Sequence, residues 1–327
     1  MKEDILSDVL RTVRLSGAIF FDVEASSPWV AEAPTADSIA PLVMPNAQHV
    51  IEYHVITSGF GWATLIDTDE EPVRLAPGSI IMFPQGDRHV LSSQLQMRAE
   101  PDYAAFDQPE DLSPPFYIQN FGGGPEKASM TCGFLGCDRL PFNPIIQALP
   151  RMIHVPDGYT AGDGWLSNLI KGIMKESRNK RVGSDSVLTR LSELIFIEVL
   201  RSYMESLPSD ATGWLSALSD RHVGRAISLL HANPQRPWTL EMLTRELGVS
   251  RTVLISRFTE HLGVAPMTYL SNWRMQLAAG MLAGSGATIA KIAADVGYES
   301  EAAFSRSFKR CTGLSPGVWR TSGNSKS

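Results

Sequence analysis

The sequence predicts a multidomain α+β protein, with a β-barrel in its N-terminal half and an all-α C-terminal half. Three observations lead to this prediction. Residues 18–135 contain short β-rich runs that are separated by glycine and proline. The apolar spacing becomes helical from Gly164 onward, and residues 214–327 contain one helical unit twice. A chain of 327 residues has room for about two domains of ordinary size.

The N-terminal end contains an amphipathic helix and no targeting segment that we can identify. Apolar residues recur with helical spacing between Ile5 and Val13, with charged residues among them, whereas a signal peptide has an unbroken apolar stretch. No run of about 18 apolar residues occurs. We therefore expect a cytoplasmic protein that does not enter the membrane, and its three cysteines are too few for a disulfide scaffold.

Five β-rich runs follow, and they predict an antiparallel sandwich or barrel because they are short, closely spaced and bounded by turn residues. The runs are residues 18–23, 49–56, 61–67, 79–83 and 116–121. The acidic, proline-containing segment 99–115 is interpreted as an insertion between strands.

Two helices are predicted next, at 165–177 and 187–207, and the second has an unusually broad apolar stripe. The stripe consists of Leu188, Leu191, Leu194, Ile195, Phe196, Val199, Leu200 and Tyr203. Such a helix must be covered on two sides. The β domain and a second copy of the chain are the natural partners, although burial inside one monomer would also satisfy the pattern. We predict a linker and dimerisation segment at 159–208, between domains at 1–158 and 209–327.

The repeated helical unit has the pattern of a helix-turn-helix. In each copy a glycine, Gly248 or Gly297, stands where the first helix must end and the chain must reverse, which requires a left-handed backbone conformation. Ser250 and Ser300 follow as N-caps of the second helix. A single such pattern is a weak signal, but two in tandem are a strong one. The motifs are predicted at 239–261 and 288–311, joined by a helix at 267–283.

The charge distribution agrees with a nucleic-acid partner for this half of the chain. The net charge of −6 argues against DNA binding when it is taken alone, because phosphate binding depends on lysine and arginine. Residues 209–327, however, have 13 basic against 8 acidic side chains and a net charge of +5, whereas residues 1–208 carry −11. The acidic half should disfavour nonspecific contact with DNA.

Residues 289–320, IAKIAADVGYESEAAFSRSFKRCTGLSPGVWR, resemble the AraC family of bacterial transcription regulators. Weaker resemblance covers most of the chain and points to the subfamily with an N-terminal cupin sensor. The resemblance implies a sequence-specific regulator that binds promoter DNA, responds to a small-molecule effector, forms a homodimer and acts with RNA polymerase, more often as an activator than as a repressor.

Geometry predicts which side chains would face the major groove, because a recognition helix presents its exposed N-terminal residues to base edges. The predicted readers are Arg251, Thr252, Ile255, Ser256, Arg257 and Thr259 in the first motif and Glu301, Ala302, Ser305, Arg306 and Lys309 in the second. Arg306 stands where the family places a base-contacting arginine. The equivalent residue in the first motif is Ser256. Ile255 occupies a position where the family commonly has a polar residue that contacts a base, so for Ile255 the alternative is a contact with a thymine methyl group. Contact with phosphate alone stays open for each arginine.

Residues 78–93 fit the second cupin motif, with His89 as its histidine and Ser93 in place of asparagine. The first motif is degenerate: His54 precedes Gly59 at the expected distance, but the His-x-His pair and its glutamate are missing. We predict an effector pocket formed by His54, Trp62, Phe83 and His89, with Trp29 and Tyr53 as further candidates.

Two other classes of function stay open. A cupin metalloenzyme with an appended DNA-binding domain would need three or four ligands on one ion, and His54, His89 and Glu52, on the same strand face as His54, are the candidates. Two hydrogen-bonded or pocket-lining histidines are the favoured interpretation, so no metal, cofactor or catalytic residue is expected. A redox-sensing regulator could use Cys132 and Cys137, which otherwise are buried small residues. A chromatin-like binder without an effector is the remaining alternative.

Overall fold

The computed structural model describes residues 4–107, 114–139, 141–156, 165–179, 181–208 and 210–324. The chain forms two compact units. The barrel unit comprises Leu15–Cys137 and Leu149–Ser206, and the helical unit comprises Met1–Arg14, Asp138–Ala148 and Leu207–Ser327. The segments before residue 15 and at 138–148 thus group with the C-terminal helices. The domain limits predicted between 158 and 159 and at 209 lie outside the described residues, as do residues 108–113 of the predicted insertion.

Ten strands occur among the described residues. They are β1 (Ser16–Ser26), β2 (Val30–Ala33), β3 (His49–Ser58), β4 (Gly61–Leu65), β5 (Val73–Leu75), β6 (Ile80–Phe83), β7 (His89–Ser92), β8 (Phe116–Phe121), β9 (Lys127–Cys137) and β10 (Ile153–Val155). One sheet has the order β10-β6-β3-β9-β1-β8 and the other β2-β7-β4-β5. All pairs are antiparallel except β1 and β8, which run parallel, so the prediction of a purely antiparallel arrangement was wrong in that pair.

The helices follow in chain order. They are α1 (Ile5–Thr12), α2 (Ala36–Val43), α3 (Pro144–Ala148), α4 (Trp165–Arg178), α5 (Ser184–Ser206), α6 (Trp214–Ala217), α7 (Val223–Ala232), α8 (Leu240–Leu247), α9 (Arg251–Leu262), α10 (Pro266–Gly284), α11 (Ile289–Asp295), α12 (Glu301–Thr312) and α13 (Pro316–Asn324). The predicted α+β fold class is confirmed. Among the described residues, no helix combines the length and apolarity that a bilayer crossing requires.

The core of the barrel unit lies between the two sheets, where Phe21, Ile81, Leu91 and Phe134 are buried together. Helix α5 covers the outer face of the larger sheet, where it packs against β1, β9 and β10, and α4 packs against α5. The hydroxyl groups of Tyr53 on β3 and Ser192 on α5 form a hydrogen bond of 2.7 Å beneath this cover. Much of the apolar stripe of α5 is therefore buried within one chain.

The helical unit contains both predicted motifs, with α8 and α9 in the first and α11 and α12 in the second. The Oγ atoms of Ser250 and Ser300 accept hydrogen bonds from the amides of Val253 and Ala303, each at 3.2 Å, and so cap α9 and α12 as predicted. Helix α10 joins the motifs and packs against helices of both. In the second motif Phe304 and the neighbouring apolar residues of α11 and α12 form one buried core with α10.

Candidate nucleic-acid interface and cavity

The two recognition helices bury one face and expose the other. Leu254 of α9 and Phe304 of α12 are completely buried. The opposite faces contain the predicted readers, of which Arg251, Thr252, Ile255, Ser256, Arg257, Thr259, Glu301, Ala302, Arg306 and Lys309 are exposed and Ser305 is half-buried. The buried face of each helix fixes which side is exposed to solvent. The predicted residues lie on that side and are accessible to a DNA duplex.

The basic side chains of the two helices differ in how they are engaged. In α9, Arg257 forms an ion pair of 2.6 Å with Asp220, and Arg251 lies 3.4 Å from Glu241. In α12, the side chains of Arg306 and Lys309 have no hydrogen-bond or ion-pair partner in the described part of the chain. A guanidinium without a partner inside the protein can form two hydrogen bonds to a guanine base, or bind a phosphate. It does so without first breaking an ion pair within the chain.

Arg274 of α10 connects the two motifs. Its Nε donates to the carbonyl of Pro234 at 2.7 Å, and its Nη2 donates to the carbonyl of Arg236 at 2.8 Å, both in the loop before α8. The same guanidinium lies 5.9 Å from the ring centre of Tyr298, in the turn of the second motif. Arg274 therefore contacts both the loop before the first motif and the turn of the second motif. The sequence analysis did not predict these contacts.

A cavity of about 210 Å³ lies inside the barrel unit, and its walls are mainly apolar. Its lining comprises Phe21, Val23, Ala25, Trp29, Val30, Ala31, Glu32, Ala33, Glu52, His54, His89, Leu91, Ala99, Glu100, Asp102, Ala105, Phe106, Ile118, Asn120, Met130, Cys132, Gly133 and Phe134. Glu52, His54 and His89 form a buried polar cluster in this wall. An apolar cavity with a small number of convergent polar groups is the usual form of a ligand site.

Hydrogen bonds and ring stacking orient the two histidines. His89 Nδ1 lies 2.9 Å from the carbonyl oxygen of Asp87, which can only accept, so this nitrogen carries the proton. His89 Nε2 then presents a lone pair to His54 Nε2 at 2.8 Å. The ring of Phe83 stacks on His89 with centroids 3.6 Å apart. Glu52 Oε1 and His54 Nδ1 are buried and have no hydrogen-bond partner in the described residues.

Burial keeps this cluster uncharged at neutral pH, because the charged forms lose their hydration. It raises the pKa of Glu52 to about 8. It lowers the pKa of His89 to about 4, although the hydrogen bond to Asp87 opposes the change. Burial and the nearby His89 also lower the pKa of His54 well below its usual value. The cavity therefore presents a carboxylic acid and two neutral imidazoles.

Three of the predicted pocket residues do not line the cavity. Tyr53 lies between Glu52 and His54 on β3, and because side chains alternate along a strand it points to the outer face, toward Ser192. Trp62 alternates in the same way with the buried Gly61 and Ala63 of β4. Phe83 does not line the cavity either, but its ring stacks on His89 and meets the ring of His54 edge-on, with centroids 6.0 Å apart. Trp29 does line the cavity, together with His54 and His89.

The fold does not allow Cys132 and Cys137, the two candidates for redox sensing, to form a disulfide with each other. Both thiols are free and buried on one continuous strand, β9. Five residues of extended strand span about 16 Å, and their odd separation places the two side chains on opposite faces. A disulfide requires Cα atoms within about 7 Å. Burial also raises the pKa of the Cys132 thiol, with the nearby Asp22 and Glu52 as further causes, so its reactive thiolate is disfavoured.

Comparisons with known proteins agree with both parts of this description. Residues 4–205 match a family model described as Cupin, and residues 243–322 match one described as Helix-turn-helix domain. An AraC-like transcription regulator of Streptomyces antibioticus is 29% identical over 317 residues, which cover 97% of this chain and 98% of that protein. The HTH-type transcriptional regulator AlkR of Acinetobacter baylyi is 27% identical over 330 residues, with coverage of 97% and 99%. Among solved structures, an AraC-type regulator domain from Chromobacterium violaceum has 27% identity, covers 33% of this chain and 96% of that chain, and has a TM-score of 0.32.

Proposed function

The chain belongs to the AraC-like transcription regulators that have an N-terminal cupin domain, and from this premise we propose how it reads DNA and what controls it. Helices α9 and α12 enter major grooves on the same face of promoter DNA, and a small molecule in the cavity of the barrel unit controls that binding. The observation that carries the proposal is the exposed face of α12, where Arg306 and Lys309 are accessible on a capped, firmly packed helix.

The two helices have different roles in this proposal. Arg306 contacts a base edge, because it lies on the outward face of α12 with no competing acidic partner among the described residues. In α9 the ion pair with Asp220 holds Arg257 to one side, so Ser256 and Ile255 face the groove and the latter meets a thymine methyl group. Sequence discrimination then depends more on the second motif than on the first.

The effector class follows from the cavity. Its walls favour a small, mostly apolar molecule, and Glu52 and His54 offer buried polar atoms that such a ligand could satisfy with one polar group. Chain continuity supports coupling to DNA: β9 contributes Met130, Cys132 and Phe134 to the cavity wall and then continues at Asp138 into the helical unit. An effector that shifts the C-terminal end of β9 would therefore also shift the residues that follow it, which belong to the helical unit.

We also propose that the chain forms a homodimer through the partly exposed side of α4 and α5. A homodimer would bring four recognition helices to one promoter. The regulator acts in the cytoplasm, contacts RNA polymerase at the promoter as an activator and has no catalytic activity of its own.

In vitro selection from random duplex DNA with the full-length chain tests the reading of DNA. Two recognition helices on one chain should select two conserved blocks whose centres lie about 10 to 10.5 base pairs, one helical turn, apart. DNA recovered without any consensus would contradict sequence-specific reading and would favour a chromatin-like binder. A single block would show that only one helix contributes to recognition.

A further inference from the structure

The helical unit contains a pocket of its own, separate from the cavity of the barrel unit. We propose that this helical-unit pocket binds a small, uncharged aromatic molecule with a hydrogen-bond donor and an acceptor side by side, such as an aromatic amide, and that its occupation strengthens DNA binding. The pocket has a volume of about 340 Å³, larger than the barrel cavity. Ligand sites usually have volumes of about 300 to 1,000 Å³, so the space suits such a molecule.

The pocket lies beside both DNA-binding motifs, and every residue that lines it belongs to the helical unit. His261 and Leu262 come from the C-terminal end of α9, and Cys311 comes from the C-terminal end of α12. Tyr269 and Asn272 come from α10, which joins the two motifs. Helices α3 and α6 and short adjoining loops complete the wall. One bound molecule can therefore contact the ends of both recognition helices and the helix between them.

Three aromatic rings of the wall are held in place by contacts within the helical unit. The ring of Phe142 meets the ring of Tyr269 edge-on, with centroids 5.5 Å apart, and the Phe142 amide donates to Oε1 of Gln276 at 3.0 Å. The indole Nε1 of Trp214 donates to the hydroxyl of Tyr269 at 2.9 Å. The same hydroxyl lies 2.9 Å from Nε2 of His231. Because these rings are fixed in advance, an aromatic ligand can pack against them at little cost in side-chain entropy.

Asn272 supplies the hydrogen-bonding group of the pocket. Its side chain is half-buried, and its amide has no hydrogen-bond partner among the residues that the structure describes. A carboxamide has an acceptor oxygen and a donor nitrogen side by side. It can therefore form two parallel hydrogen bonds with a ligand that has the same pair of groups, and an aromatic amide is such a ligand.

The wall of the pocket favours an uncharged ligand. Among the described residues that line it there is no lysine, arginine, aspartate or glutamate. A charged ligand would lose part of its hydration in the pocket without meeting a side chain of opposite charge, and this loss is costly. An amide keeps its polar groups without that cost.

Occupation of the pocket should strengthen DNA binding, because both recognition helices must have the correct separation at the same time. A ligand that packs against the C-terminal ends of α9 and α12 and against α10 restricts their relative movement before DNA arrives. DNA binding then loses less conformational entropy, which gives positive cooperativity between the ligand and DNA. This effect rests on the proposed reading of DNA by α9 and α12, whereas ligand binding itself does not.

Calorimetric titration of the full-length chain with benzamide and 2-naphthamide tests the site, and benzoate and 2-naphthoate serve as charged analogues of similar size. We expect the pocket to bind one amide per chain and to bind the carboxylates roughly tenfold more weakly or worse. Asn272→Leu keeps the size of the side chain but removes its hydrogen bonds, and should weaken amide binding about fivefold or more.

A second variant fills the pocket, and a matched variant controls for the added side chain. Val264→Trp places a larger side chain in the wall and should weaken amide binding as Asn272→Leu does. Val318→Trp makes the same change at an exposed position of α13 that lines neither the pocket nor the barrel cavity, so it should bind the amides as the wild type does. Thermal melting without ligand establishes that each variant is folded.

Fluorescence anisotropy with the selected duplex tests the effect on DNA. Saturating 2-naphthamide should lower the Kd of the wild type about fivefold or more, within the usual range of coupling between two sites. Val318→Trp should respond in the same way, whereas the Kd of Val264→Trp should not change with the amide.

Wild-type protein that binds neither amide would overturn the proposal. Equal binding by the wild type, Asn272→Leu and Val264→Trp would also overturn it, since the ligand would then lie elsewhere, such as in the barrel cavity. Carboxylates that bind as tightly as the amides would contradict the assigned ligand class, and saturation without a change in Kd would contradict the role in DNA binding. If the chain selects no DNA sequence, the proposed function fails, but the calorimetric results still decide whether the pocket is a ligand site.

Discussion

Gly297→Ala should lower the free energy of unfolding by about 2 to 5 kcal/mol, because backbone strain and overcrowding act together. Gly297 has a φ of +86°, and an added Cβ would lie 2.7 Å from the carbonyl oxygen of Gln235 and 2.7 Å from Nη2 of Arg274. The first contact is with backbone, which cannot move aside without displacing the loop before α8. Chemical denaturation of the full-length chain, followed by tryptophan fluorescence, measures the change.

Gly248→Ala is the matched control, since Gly248 occupies the same place in the first motif. It also has a positive φ, +67°, but nothing lies within 4 Å of an added Cβ. Only the strain of the left-handed conformation remains, about 1 kcal/mol. Equal destabilisation by the two variants would contradict the close approach of the second motif to Arg274 and to the loop that it holds.

Arg306→Ala should reduce affinity for the selected DNA by about 1 to 3 kcal/mol, roughly five- to 150-fold, and should relax the preference at one base position. Arg306 is exposed on the side of α12 that we propose faces the major groove, and its loss would remove the two hydrogen bonds expected between its guanidinium and a base edge. Fluorescence anisotropy with a set of duplexes that differ at single positions measures both the affinity and the preference.

Arg74→Ala, on β5 of the barrel unit and outside α4 and α5, is the control for loss of one positive charge. Its guanidinium lies over the ring of Phe60, 5.3 Å from the ring centre, and its removal should leave DNA affinity nearly unchanged. If Arg306→Ala weakens binding to every duplex by the same factor, Arg306 contacts phosphate only, and another side chain must supply the sequence preference.

The sequence predicted the helical unit well because its signals are local. Ser250 and Ser300 cap helices, and Gly248 and Gly297 have the left-handed conformation, so each turn is encoded within a few residues. The repeat then made the assignment of two motifs secure. The role of Arg274 is not local, since its partners lie in two loops separated from it in sequence, and no pattern indicated it.

The barrel unit was harder to predict because its central strand β9 contains only one β-branched residue, Thr131. Strand β9 is rich in small residues, and Gly133 and Gly136 read as turn signals rather than as strand. In the structure an added Cβ at Gly133 would overlap the hydroxyl of Tyr53, so the glycine allows that ring to pack against the sheet. Missing this strand also led to the interpretation of Cys132 and Cys137 as a possible pair.

The candidate site was predicted in part. The second cupin motif identified His89, and the spacing on β3 placed Glu52 and His54 on one face, where the structure has them together. Tyr53, Trp62 and Phe83 were included because ligand sites are mostly apolar, but none of the three lines the cavity. Strand alternation places Tyr53 and Trp62 on the outer faces of their sheets. The sequence predicted the apolar face of helix α1 but not the part of the protein against which that face packs. In the structure α1 groups with the helical unit rather than with the barrel unit.

The central claim is that the occupant of the cavity controls the reading of DNA by α9 and α12. The most direct measurement is the Kd for the selected duplex, at fixed salt, with and without small molecules that raise the melting temperature of the full-length chain. Coupling between two sites typically changes affinity about 5- to 150-fold. We predict a change of at least fivefold for cavity ligands, and an unchanged Kd with the cavity saturated would contradict the account.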